Sequence, residues 1–191
     1  MRFGGRLGMV VLVSALLVGS ALVVPLAGGP ASASTVATAT IGAGTLSVSV
    51  PGAINFSDTL NGQDQTVTAG LAVDVKDATG SGAGWNLTAT STQFTSPGAI
   101  TLPANAVTIS GAPTDVCDGG ATCTLATNSI GYPYSLPAGA TPPAAAKLFD
   151  AASSTGLGDQ TVTPTFALTI LANTVQATYT STWTISLVSG P

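Results

Sequence analysis

The feature that most constrains this chain is the alternation of apolar with small polar residues. In TLSVSV (45–50), Leu46, Val48 and Val50 fall on one side, and Thr45, Ser47 and Ser49 on the other. LAVDVKD (71–77) sets Leu71, Val73 and Val75 against Ala72, Asp74 and Lys76, and TFALTI (165–170) sets Phe166, Leu168 and Ile170 against Thr165, Ala167 and Thr169. A period of two marks half-buried strands, and Thr and Val suit a pleated surface. Turn signals separate the strands: Pro51-Gly52, Asn61-Gly62, Pro97-Gly98 and Pro142-Pro143. Asn61-Gly62 predicts a type I′ hairpin turn. Only PAAAKLFDAAS (143–153) carries a helical signal, for one short helix. The pattern predicts an all-β chain, a single-domain antiparallel two-sheet β-sandwich. The less regular stretch 111–160 is expected to form a decorated insertion that contains a disulfide.

The first residues have a different character. Arg2 and Arg6 precede an apolar run from Leu7 to Leu26, and Ala31-Ser32-Ala33 follows. This is the layout of a secretory signal peptide, with cleavage expected between Ala33 and Ser34. The domains are then 1–33, signal peptide, and 34–191, β-sandwich. The apolar run is also long enough for a retained membrane anchor. Pro25, Pro30 and the Ala-x-Ala site favour processing, which leaves no stable membrane span. The processed chain carries Lys76 and Lys147 against eight aspartates, a formal charge of −6, with no His, Glu or Arg. So few cations exclude electrostatic binding of nucleic acid or of an anionic membrane. Cys117 and Cys123 lie six residues apart in CDGGATC. In an exported chain they predict a local disulfide.

DATGSGAGWNLTATS (77–91) holds glycines at 80, 82 and 84 before Trp85. A phosphate cradle needs a helix after the glycines, whose free N–H groups and dipole meet the anion. Here a strand pattern follows, with Trp85, Leu87 and Ala89 on one face. The glycines therefore read as a connection that allows positive φ and gives the indole room.

This segment, with Trp85-Asn86-Leu87, resembles the first signature of the WxL domain of Gram-positive bacterial cell-wall proteins. The second signature of that family, a tryptophan motif preceded by a tyrosine, is matched by TYTSTWTISLVSGP, with Tyr179, Trp183 and Ile185. Ile185 stands where the family has leucine. The two tryptophans are 98 residues apart, and the resemblance spans residues 35–191. The Ala/Gly/Thr-rich, lysine-poor composition is similar to that of actinobacterial members. The resemblance implies a secreted, cell-surface protein held non-covalently on the wall through peptidoglycan or another wall glycan. It also leaves open a structural or adhesin-like subunit that binds other exported surface proteins. No Leu-Pro-x-Thr-Gly stretch is present, so covalent sorting is not expected.

Strand parity puts Tyr179, Ser181, Trp183, Ile185 and Leu187 on one face, opposite Thr180, Thr182, Thr184 and Ser186. In a half-solvated sheet the bulky face points inward. The signature residues are therefore expected in the core; an exposed platform for sugar rings is the alternative. No catalytic residue, cofactor or metal site is expected. General acid–base chemistry would fall to aspartates alone, and none stands in a telling motif. Asp115 and Asp118 flank Cys117 but lack the spacing of a calcium loop. Tyr132 and Tyr134 form either a loop-borne aromatic patch or a cap on the sandwich.

Overall fold

The structure, a computed structural model, describes residues 33–191. The expected signal segment, residues 1–32, lies outside them. Ala33 and Ser34 are exposed and without regular structure, and the compact unit runs from Ile41 to Pro191.

Strands account for all the regular structure, and no helix occurs among the described residues. In chain order they are β1 (Leu46–Ser49), β2 (Gln65–Gly70), β3 (Val73–Asp77), β4 (Trp85–Thr92), β5 (Val107–Ile109) and β6 (Thr114–Cys117). There follow β7 (Tyr134–Ser135), β8 (Ala138–Gly139), β9 (Ala146–Ala151), β10 (Gly158–Thr163), β11 (Thr165–Ile170) and β12 (Trp183–Ser189).

The frame is one long antiparallel ladder. β2 pairs with β11 from Gln65↔Ile170 to Gly70↔Thr165, and β3 pairs with β10 from Val73↔Val162 to Asp77↔Gly158. The register is the same in both, and the Leu71 N–H bonds to the Pro164 carbonyl between them at 3.1 Å. Pro164 has no N–H to donate, so the ladder passes through it by this bond alone. β1 and β6 flank one half of the ladder, and β5 and then β7 flank the other. The second layer has β4 at its centre, between β12 and β9, with β8 forming a two-residue parallel pair at the far end.

The layers meet through the faces that alternation selects. Val73, Val75, Val162, Phe166 and Leu168 come from the ladder, and Trp85, Leu87 and Ala89 from β4. Phe166 and Trp183 touch across the interface, with ring centroids 4.7 Å apart. The two-sheet sandwich is thus an all-β fold whose core is the space between ladder and second layer.

Two local expectations are corrected. Residues 143–153 form no helix: Ala146–Ala151 is β9, paired with β4. The pairing skips Leu148, since Leu87 faces Phe149 and Thr88 faces Lys147. This bulge brings Leu148, Phe149 and Asp150 all into the interior, which erases the two-residue period. Asn61-Gly62 does make a turn, with Gly62 at φ +83° and the Asn61 side chain accepting from the Gln63 N–H at 2.9 Å. It joins no hairpin, because β1 and β2 have different partners.

Candidate functional site

Trp85 sits at the start of β4 and has no exposed surface. Its indole N–H donates to the Gly156 carbonyl at 2.8 Å, and its ring lies 5.9 Å from Phe149. The glycine loop before it is fixed by a relay of side chains. The buried Asp77 carboxylate accepts from the N–H and hydroxyl of Thr79, at 2.9 and 2.6 Å. The Thr79 hydroxyl accepts from the Ser81 N–H, and the Ser81 hydroxyl accepts from the Ala83 N–H, both at 3.2 Å. The N–H groups of Thr79, Ser81 and Ala83 are therefore taken by the loop's own side chains and are not offered to an anion. The Gly82 carbonyl accepts from the Ser154 N–H at 2.8 Å, which ties the loop to the segment that closes over the indole.

The second signature lies on the neighbouring strand. β12 pairs with β4 along its whole length: Trp183 faces Ser91, Ile185 faces Ala89, Leu187 faces Leu87, and Ser189 faces Trp85. The tryptophans thus stand at opposite ends of the pair, about 20 Å apart at the usual rise per residue. They cannot share one sugar ring. Trp183 is half-buried among Phe166, Phe56 and Phe94, with centroids at 4.7, 6.2 and 6.5 Å. Ile185 is half-buried beside it and Leu87 fully buried. Tyr179 packs on the core edge and donates its hydroxyl to the Val175 carbonyl at 2.7 Å. The signature residues build two aromatic clusters. Their phenylalanine partners, scattered over the sequence, carried no local signal of this role.

Cys117 and Cys123 form the expected disulfide. It closes a loop that returns to β10, where the Asp118 N–H donates to the Asp159 carbonyl at 3.0 Å. Asp115 and Asp118 part company here. The Asp115 carboxylate accepts from the Ala126 N–H at 2.7 Å, whereas Asp118 accepts from the Thr161 hydroxyl at 2.6 Å. Asp118 gathers instead with Asp74 and Asp159, carboxylate oxygens within 4.8 Å of one another. Lys76 neutralises part of this cluster through Asp159 at 2.6 Å.

Burial, and next the Asp159 and Asp118 charges, raise the Asp74 carboxyl above its ordinary value, against a smaller pull from Lys76. A raised carboxyl binds its proton more tightly in the folded state. Stability therefore falls as pH rises from about 4, the unfolded value, through the folded value. Asp74→Asn removes that cost. It should raise the melting temperature at pH 7 by on the order of 1–2 °C, solvent screening keeping the effect small. The gain should vanish below about pH 4. Melting curves at the two pH values check this, and an equal gain at both would refute the charge argument.

Tyr132 and Tyr134 cap the sandwich. The Tyr132 hydroxyl donates to the Leu148 carbonyl at 2.6 Å, and burial pushes the Tyr134 phenol up to about 12. Both rings are partly buried and pack against the core.

Two open concavities lie elsewhere, along residues 179–182. One, of about 360 Å³, is bordered by Ile100, Leu171, Val175 and Tyr179. A second, of about 210 Å³, is bordered by Thr92, Thr95, Thr180, Ser181 and Thr182. Gln93 belongs to both. No charged side chain lines either one.

Compared with known proteins, the chain matches no family model, no curated protein and no solved structure.

Proposed function

We propose that this is an exported cell-surface protein whose β-sandwich attaches non-covalently to the cell wall, through peptidoglycan. The observation that carries the reading is the direct pairing of the two tryptophan motifs. Two segments 98 residues apart in sequence form the adjacent strands β4 and β12, so the motifs act as one structural unit. The Cys117–Cys123 disulfide suits an oxidising compartment. The near absence of cations leaves a surface of threonine, serine and amide groups, suited to uncharged polymers. A binding role fits better than a catalytic one, because the potential acids and bases are aspartates, lysines and tyrosines, and of these only Tyr179, its hydroxyl bonded to the Val175 carbonyl, borders the two concavities.

The exported protein should pellet with protein-free peptidoglycan sacculi. Protein that stays in the supernatant would sink wall attachment. The second reading, a subunit that pairs with other exported surface proteins, draws on β2. This outer strand, QTVTAG, carries no charge to discourage a partner strand.

A further inference from the structure

We infer that the two adjoining concavities at Gln93 form one binding groove for a neutral, hydroxyl-rich glycan. The inference rests on the proposed wall attachment and names the place and chemistry of contact.

Several polar groups of the groove spend a proton on the backbone. Gln93 donates its side-chain N–H to the Leu102 carbonyl at 2.6 Å. The Thr95 hydroxyl donates to the Gln93 carbonyl at 3.1 Å, and the Ser181 hydroxyl to the Thr92 carbonyl at 2.5 Å. The Tyr179 hydroxyl is likewise committed to Val175. Each of these groups spends a donor on the protein backbone and keeps oxygen lone pairs for a visitor, while Gln93 retains a second amide N–H. A phosphate or carboxylate brings only acceptors and would meet lone pairs without a cation nearby. The chain's negative balance adds to that repulsion. Sugar hydroxyls and an acetamido group bring donors for these lone pairs and acceptors for the side chains of Asn173 and Thr174 in the same lining.

The other half of the groove supplies apolar contact. Ile100 and Val175 are 41% and 52% exposed, large apolar side chains left open beside the Tyr179 ring. This suits the C–H face of a pyranose or an acetamido methyl group. A groove with aliphatic and aromatic surface at one end and hydroxyl oxygens at the other fits a chain of N-acetylated sugars better than an anionic wall polymer.

The probes are an oligomer of N-acetylglucosamine and, for contrast, polyglycerol phosphate, titrated into the exported protein by calorimetry. The sugar oligomer should bind and the polyanion should not. Ile100→Ser combined with Val175→Ser, both already on the surface, should weaken sugar binding about tenfold without shifting the melting temperature. Val116→Ser, an exposed apolar position on β6, should leave it unchanged. Equal binding by the double variant and the wild type would overturn the groove, as would preference for the polyanion or no sugar binding at all. The sacculus assay separates the two levels. If wild type and double variant pellet alike, wall attachment survives and the groove falls. If the wild type binds the oligomer through the groove yet ignores sacculi, the glycan site survives and wall attachment falls.

Discussion

Trp85→Ala is expected to lower stability by roughly 3–5 kcal/mol and the melting temperature by on the order of 10 °C. The side chain has no exposed surface, so its whole apolar area returns to water and leaves a cavity. The Gly156 carbonyl also loses the indole N–H it accepts at 2.8 Å. Trp85→Phe separates these terms. It keeps most of the apolar contact with Phe149 and should cost only about 1–2 kcal/mol, chiefly for the orphaned carbonyl. Trp183→Ala should fall between the two, because that ring is half-buried yet anchors Phe166, Phe56 and Phe94. Chemical denaturation of the three variants gives the order. A Trp85→Ala or Trp183→Ala protein that melts like wild type but no longer pellets with sacculi would return that tryptophan to the ligand. Loss of wall binding in step with loss of stability leaves both rings in the core.

The strands that alternate cleanly were legible in the sequence, because a period of two is a local property. Val73 and Val75, or Phe166 and Leu168, declare their faces without reference to any partner. The faces of the two tryptophan strands were legible for the same reason. What the chain pairs with what is non-local. Nothing within 65–77 says that its partner is 158–170, or that the ladder runs on past Pro164. β9 was hidden twice over. Its alanines favour helix, and the bulge at Leu148 breaks the alternation that would have contradicted them. Packing of Phe149 against Trp85 overrides the propensity. The groove was invisible for a related reason. Gln93, Ile100, Val175 and Thr180 are unremarkable alone, and only the meeting of the β4 end with the segment before β12 gives them a shared surface.

The largest contrast expected within the glycine run is between Gly84→Ala and Gly80→Ala. Both glycines have positive φ, +75° and +65°, so either alanine bears the strain of the left-handed region, about 1–2 kcal/mol. At Gly80 that is the whole cost, since a Cβ there meets no atom within 4 Å. At Gly84 the Cβ would press into the Ala151 carbonyl oxygen and lie 3.0 Å from the Ala152 carbonyl. These are backbone atoms at the end of β9, and they cannot step aside by changing rotamer. The strand would have to move, and with it the turn through Ala152 and Thr155 that places the Gly156 carbonyl over the indole. Overpacking of this kind adds about 1–3 kcal/mol. Gly84→Ala should therefore cost roughly 2–5 kcal/mol, at its upper end comparable to removing Trp85 itself. Gly80→Ala should cost only the strain of about 1–2 kcal/mol, and denaturant midpoints of the pair measure the difference. Equal loss at both positions would mean that the run serves as a flexible hinge. The expected inequality means that Gly84 alone is the close-packed position, the residue that lets β4 start against β9 with its tryptophan inside.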